Sequence, residues 1–165
     1  MQLQDFFDYK NQLMKDLLTN ESIVSLIQRD TTVENAESLA YTQVFPYEYL
    51  PETVDKGQTF ICFDVDISGV GNKPILTPVI YIWVFSHKSN LRLPEGGVRP
   101  DKICSEICKV INGSRFYGLG ELNLYSVKRF APMTDYQGKL MTFNAKEFNR
   151  TYDGSKPIPA NRKNY

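Results

Sequence analysis

Residues 59–87, TFICFDVDISGVGNKPILTPVIYIWVFSH, contain the two segments that decide the fold. Side chains in residues 59–67 alternate between two sides of the chain, with Ile61, Phe63, Val65 and Ile67 on one side and Phe60, Cys62, Asp64 and Asp66 on the other. This period of two predicts a strand with one buried face. Residues 75–87 are almost continuously apolar, which predicts a central strand covered by helices on one face and by a neighbour on the other. Because Pro78 has no N–H to donate, we expect this strand to begin after Pro78 or to bulge there.

The segment RPDKICSEICKVING, residues 99–113, has the signals of a helix. Pro100 stands in the first turn, Asp101 lies near the positive end of the helix dipole, Lys109 comes late, and Gly113 follows the last turn. The predicted buried stripe of this helix consists of Ile103, Ile107, Val110 and Ile111.

Two more strands are predicted at residues 120–130 and 139–148. The segment PMTDYQG, residues 132–138, has the composition of a turn and is predicted to join them as a hairpin.

The residues before the first strand predict two helices and an extended lead-in. Apolar residues recur at helical spacing through residues 3–18, at Leu3, Phe6, Phe7, Leu13, Met14, Leu17 and Leu18. Asn20 is the predicted cap of a second, short helix that ends near Ile27, and residues 29–39 read as irregular. The lead-in FPYEYLPETVDKG, residues 45–57, exposes Tyr47 and Tyr49, which we expect to contact a partner.

These elements predict an α+β fold for residues 1–148. A mostly antiparallel sheet of four or slightly more strands is packed by the N-terminal helix pair and the central helix. At 165 residues the chain is long enough for one such domain and too short to expect two.

Residues 149–165, NRTYDGSKPIPANRKNY, predict an extended C-terminal arm. They contain four basic residues against one acidic residue and little apolar surface, so they cannot hold themselves in place. We expect the arm to lie against a neighbouring chain, with its own domain as the alternative. Its candidate contact residues are Tyr152, Lys156, Pro157, Ile158, Arg162, Lys163 and Tyr165.

Charge is distributed unevenly along a chain whose formal net charge is zero. Residues 1–56 hold 4 basic and 10 acidic residues, a net charge of −6, and residues 57–165 hold 15 and 9, a net charge of +6. Such polarity suits head-to-tail stacking of subunits, although fluctuation of surface charge along the chain explains it equally well. The overall charge gives no support to nucleic-acid binding.

Cysteine usage and hydropathy predict a protein of a reducing compartment. Three cysteines are an odd number, and the first ten residues, MQLQDFFDYK, lack the layout of a signal peptide. We therefore expect free thiols. The longest apolar stretch, residues 78–85, is less than half of what a membrane-spanning helix needs.

Three groups of residues are candidates for a catalytic or metal-binding site. His87 is the single histidine, and at the end of an apolar strand it is more often structural than catalytic. Cys104 and Cys108 lie four residues apart on a helix and could share a zinc ion with Cys62 and His87, although small buried thiols are the simpler explanation. Asp64 and Asp66 lie on one strand face, as in some metal-dependent phosphoryl-transfer sites, although a solvated face or one that lines a polar channel is the simpler explanation.

From about residue 45 to residue 148 the order of segments resembles that of tail terminator and related neck, or head-tail joining, proteins of tailed bacteriophages. The likeness begins with the early helix pair and continues through FPYEYLP, TFICFDVDI, PVIYIWVFSH, RPDKICSEICKVING, GLGELNLYSV and YQGKLMTFNAKEFN. It implies that the helix starting near Arg99 and Asp101 packs on the sheet and that the YQGKLMTF strand closes it.

The resemblance also implies a function and a location. Related proteins form rings, usually of six subunits, at the neck of the virion after assembly in the host cytoplasm. The implied partners are further copies of the chain, the tail tube protein and a head-tail connector or stopper protein, with the tail sheath as a further candidate. The length of the first helix and the C-terminal arm are not part of the shared pattern, so the identity of the neighbouring protein stays open.

We therefore expect a structural virion protein and not an enzyme. We expect no cofactor, no bound metal, no sequence-specific nucleic acid and no membrane among its partners. Two alternatives stay open: a small metal-dependent hydrolase or nuclease that uses Asp64 and Asp66, and a monomeric adaptor protein.

Overall fold

The computed structural model describes residues 4–28, 35–51, 57–68, 75–117 and 119–148. Three α-helices are present in these ranges: α1 (Gln4–Thr19), α2 (Glu21–Ile27) and α3 (Arg99–Ile111). The strands are β1 (Val44–Phe45), β2 (Thr59–Ser68), β3 (Ile75–His87), β4 (Asn123–Phe130), β5 (Tyr136–Asn144) and β6 (Glu147–Phe148). Short 3-10 helices occur at Ala36–Leu39 and Lys88–Asn90. No helix in these ranges is long and apolar enough to cross a bilayer.

The main sheet has the strand order β1-β2-β3-β5-β4, which places β3 at its centre. All its neighbouring strands pair antiparallel except β1 and β2, which are parallel. The predicted α+β fold with a mostly antiparallel sheet is thus confirmed. β3 is the longest strand because its near-continuous apolar sequence suits a position between two hydrogen-bonded neighbours.

β3 runs through Pro78 without interruption, so the expectation that the strand begins after this proline was wrong. Pro78 lies opposite Ile67 of β2. On its other side the partner strand is broken, because β5 ends opposite Val79 and β6 begins opposite Leu76. The N–H of Ala145, which lies in this break, donates to the Pro78 carbonyl at 3.1 Å. The missing N–H of Pro78 therefore falls at a break in the partner ladder.

The predicted turn at residues 132–138 extends too far toward the C-terminus. β5 already begins at Tyr136, so Gly138 is a strand residue that lies opposite Phe85 of β3. A Cβ atom at this position would lie 1.9 Å from the backbone oxygen of Val84. The glycine permits a close approach of two strands and does not form a turn.

The three helices cover one face of the sheet, called the helical face below. The buried stripe of α1 is Tyr9, Leu13 and Leu17, spaced four residues apart, whereas Phe7 of the predicted stripe is 65% exposed. Asn20 caps α2 as predicted, since its side chain accepts the N–H of Ile23 at 3.1 Å. The stripe of α3 is confirmed, with Ile103, Ile107 and Ile111 fully buried and Val110 partly buried.

Arg99, the first residue of α3, is a buried cation that joins three parts of the chain. Its Nε donates to the carbonyl of Asn90 at 2.9 Å, and its Nη1 donates to the carbonyl of Leu26 at 2.7 Å. The Leu26 carbonyl belongs to the last turn of α2, where helix carbonyls lack intrahelical partners. Arg99 thus caps α2 while its own backbone starts α3.

The hydroxyl of Tyr9 is buried and has no hydrogen-bond partner in the described part of the chain. Burial raises the pKa of this hydroxyl, and the Asp64 carboxylate raises it further. Because an unsatisfied buried hydroxyl is costly, Tyr9→Phe is expected to increase the free energy of unfolding by about 1 kcal/mol. Thermal unfolding followed by circular dichroism would measure this as a rise in Tm of about 3 °C.

A second tyrosine provides the matched control for this change. The Tyr117 hydroxyl donates to Asp16 Oδ2 at 2.9 Å, so Tyr117→Phe removes a made hydrogen bond and should lower Tm. If both variants lowered Tm by the same amount, the Tyr9 hydroxyl would have a hydrogen-bond partner in solution.

Candidate interaction surfaces

The face of the sheet opposite the helices is called the outer face below, and the described residues cover it along only half of its length. At one end an aromatic cluster is buried beneath the segment that follows β1. Its buried members are Phe45, Phe60, Cys62, Phe85 and Tyr136. The prediction that only one face of β2 is buried was therefore wrong for Phe60 and Cys62, because residues 45–49 pack over them.

The other half of the outer face presents half-buried aromatic side chains. The rings of Tyr81 and Trp83 stack with centroids 5.9 Å apart and planes 25° apart. Trp83 lies opposite Cys62 of β2 on one side and opposite Leu140 of β5 on the other. Tyr81 lies opposite Asp64 of β2. The prediction that neighbours cover both faces of β3 therefore fails for this half, where Val79, Tyr81 and Trp83 are only partly buried.

Asp64 and Asp66 lie on the outer face, as their spacing predicted, and they differ in their contacts. Asp64 Oδ1 forms an ion pair with Lys10 Nζ of α1 at 2.8 Å and accepts the N–H of Val65 at the same distance. Lys10 also donates to the carbonyl of Pro46. Asp66 is exposed and forms no ion pair with any described residue. Asp64 thus anchors α1 to the sheet, while Asp66 presents a charge to solvent.

The candidate zinc ligands lie on opposite faces of the sheet. Cys62 and His87 belong to the outer face, and Cys104 lies on α3 over the helical face. Burial raises the pKa of both the Cys62 and the Cys104 thiol to about 12, and Cys62 Sγ lies 3.7 Å from the Tyr49 carbonyl. The four candidate ligands therefore cannot converge on one ion, and both buried thiols are protonated at neutral pH.

His87 has a structural position. Its ring is 4% exposed, packs edge-on against Tyr136 and accepts the N–H of Ser89 at the start of a 3-10 helix. It lies six residues along β3 from Tyr81, the residue opposite Asp64, which corresponds to about 20 Å. The structure does not bring His87 together with Asp64 and Asp66. Within the described ranges no three His, Cys, Asp or Glu side chains are grouped closely enough to hold a metal ion.

The two tyrosines of the lead-in have different surroundings. Tyr47 is 44% exposed, whereas Tyr49 stacks on Phe45 with ring centroids 4.0 Å apart. Tyr49 also packs against Phe60, so it is part of the aromatic cluster. The candidate contact residues of the C-terminal arm, Tyr152, Lys156, Pro157, Ile158, Arg162, Lys163 and Tyr165, lie outside the described residues.

Strand β4 forms a second exposed surface, which the sequence did not single out. It is an edge of the sheet, and its residues Leu124, Tyr125 and Val127 are 36%, 72% and 48% exposed. A groove of about 690 Å³ runs between β4 and α3 on the helical face. Its apolar lining includes Leu124, Val127 and Met141, so the helices leave part of β4 uncovered.

Comparison with known proteins identifies a family. Residues 11–145 match the model of the YomW family, which is derived from phages. No curated protein matches the sequence. The matched region extends from α1 to the end of β5 and so includes both exposed surfaces described above. Because the match covers more than half of the chain, this phage protein belongs to the YomW family.

Proposed function

We propose that this phage protein is a structural subunit of the virion, which forms a ring at the neck, terminates the tail tube and joins the tail to the head connector. The observation that carries the proposal is the exposed edge strand β4 with its apolar groove. The resemblance of the segment order to neck proteins supports a location at the neck of the virion.

An edge strand such as β4 is a ready template for another chain. Its outer backbone groups have no strand partner among the described residues, and three large apolar side chains are exposed along it. Soluble proteins usually cover or shorten such an edge, because it otherwise promotes association. An eight-residue edge strand with three exposed apolar side chains is therefore suited to a permanent contact with a neighbouring subunit.

The charge layout favours a second copy of the chain as that neighbour. Lys128 and Arg129 lie exposed on β4, whereas α1, which carries Asp5 and Asp8, is anchored near β1 and β2 through Lys10. Basic side chains thus lie on β4 and acidic side chains on α1, which are two different surfaces of the subunit. Contacts between unlike surfaces of identical subunits are head-to-tail contacts, and these generate rings when the rotation closes.

The ring would use its two axial surfaces for different partners. In this proposal one axial surface binds the tail tube protein and the other binds the head connector or a stopper protein. The family match supports a phage origin, and the element order from the helix pair through β5 supports the comparison with neck proteins.

The proposal is tested by the mass of the purified protein, alone and mixed with tail tube protein, using light scattering. We expect a ring, or a tube-dependent complex, that is lost when Tyr125→Asp and Val127→Asp are combined. Both side chains are exposed in the subunit, so the charges should disrupt contacts between subunits and leave the fold intact.

Leu50→Asp is the matched control, because Leu50 is 47% exposed and lies outside both β4 and α1. This variant should assemble like the unmodified protein. A protein that stays monomeric with and without the tail tube would contradict the proposed function. Assembly that survives the double substitution would instead show that the ring uses another surface.

A further inference from the structure

The open half of the outer face combines aromatic rings with acidic groups. Tyr81 and Trp83 are stacked and half-buried, and Val79 continues the apolar surface toward the end of the sheet. Asp66 lies opposite Val79 and Asp64 opposite Tyr81. Stacked aromatic rings beside carboxylates suit a ligand that is both proline-containing and basic.

The chain itself contains a segment with this chemistry. Residues 149–165 include the sequence Lys-Pro-Ile-Pro at residues 156–159, and Arg162 and Lys163 follow. Proline restricts the unbound chain to extended conformations, so docking such a segment costs less entropy than docking an ordinary one. With four basic residues and one acidic residue, the segment is complementary in charge to Asp66, which forms no ion pair with a described residue.

We propose that the outer face binds the C-terminal segment of its own chain, with residues 157–159 packed on Tyr81 and Trp83 and Lys156 paired with Asp66. Val79, opposite Asp66, lies two residues along β3 from Tyr81, or about 7 Å. Lys156 directly precedes Pro157, so a proline placed on Tyr81 brings the lysine side chain within reach of Asp66.

The position of the last described residue favours docking within one chain. β6 ends opposite Ile75, which is six residues, or about 20 Å, along β3 from Tyr81. Nine residues lead from Phe148 to Pro157 and can span up to ~30 Å, which is enough to cover this distance. A tethered segment has an effective concentration in the millimolar range, far above that of a second copy in dilute solution.

The groove between α3 and β4 is a less suitable site for the same segment. It is lined by Lys109 and Lys139 against a single acidic residue, Asp101. Lys139 and Asp101 lie 3.7 Å apart, and Lys109 pairs with Glu106 at 2.8 Å. The groove therefore offers a basic segment no unpaired carboxylate among its lining residues, whereas Asp66 on the outer face forms no ion pair with a described residue.

Trp83 is the single tryptophan of the chain and lies within the proposed site, so its fluorescence reports on docking. The experiment measures acrylamide quenching of the full-length protein and of a variant with Lys156→Glu, Arg162→Glu and Lys163→Glu. We expect the variant to show a larger quenching constant and a red-shifted emission, because the segment no longer covers Trp83. Adding Asp66→Lys to this variant should restore protection by reversing the charge of the partner.

Glu95→Lys is the matched control for Asp66→Lys and is added to the same charge-reversed variant. Glu95 is an exposed acid in the loop before α3, so this change should leave quenching unchanged. Equal quenching in the unmodified and charge-reversed proteins would overturn the proposal. Protection that increases with protein concentration would also overturn it, since it would assign the docked segment to a second copy. These measurements use dilute monomer, so they do not depend on whether the protein forms a ring at the neck.

Discussion

Gly138→Ala is expected to destabilise the protein more than any other single methyl group added to a described glycine. The new Cβ would lie 1.9 Å from the Val84 oxygen and 2.6 Å from the Phe85 Cα, both of which are backbone atoms that cannot rotate away. The rings of Phe85 and Phe130, which flank Gly138 on the outer face, lie 5.7 Å apart and leave little space between them. We expect a loss of about 4 kcal/mol in the free energy of unfolding.

Thermal or urea unfolding would measure this loss, with an expected fall in Tm of about 10 °C or more. Gly113→Ala is the matched control, because a Cβ there meets nothing within 4 Å but the backbone has a φ of +78°. Its cost should be about 1 kcal/mol, from conformational strain alone. Equal losses in the two variants would mean that β3 and β5 can move apart easily.

Arg99→Met is expected to lower the free energy of unfolding by about 3 kcal/mol, because it leaves one buried and one partly buried carbonyl without their charged donor. Methionine has a similar length and fills the site, so the loss reports on hydrogen bonding to Asn90 and Leu26. The cation also lies at the positive end of α3, which opposes its presence there.

Urea unfolding of Arg99→Met and Arg99→Lys would separate charge from geometry. The lysine variant keeps the charge but lacks a planar donor group that reaches both carbonyls, so we expect an intermediate loss. Arg92→Met is the control, because Arg92 is exposed and lies in the loop that precedes α3. If Arg99→Met were no more destabilising than Arg92→Met, the arginine would not be the link between the helices.

The class of the fold was predictable because it depends on local patterns. The alternation in β2, the apolar length of β3 and the end signals of α3 each identified an element within a few residues of its observed bounds. The roles of Gly138 and Arg99 were not predictable. Glycine in a turn-like segment and arginine in a first turn have ordinary local explanations, whereas their observed roles depend on backbone atoms distant in sequence.

The surfaces were predicted less well than the fold. Asp64 and Asp66 were correctly placed on one face, but the apolar sequence of β3 suggested that Tyr81 and Trp83 would be covered. The two carboxylates indicate the exposure of this part of β3, because residues that lie opposite them on the neighbouring strand share their partly solvated face. The exposure of β4 could not be deduced, because it depends on where α3 lies across the sheet.

The break opposite Pro78 has a consequence for the order in which the sheet opens. Beyond this break only two residue pairs, Ile75 with Phe148 and Leu76 with Glu147, join β6 to β3. Because a proline and an interrupted strand separate them from the continuous ladder of β5, these two pairs can break without disturbing the core. Amide hydrogens of β6 should therefore exchange through local fluctuations, whereas those in the middle of β3 exchange only when the whole domain unfolds.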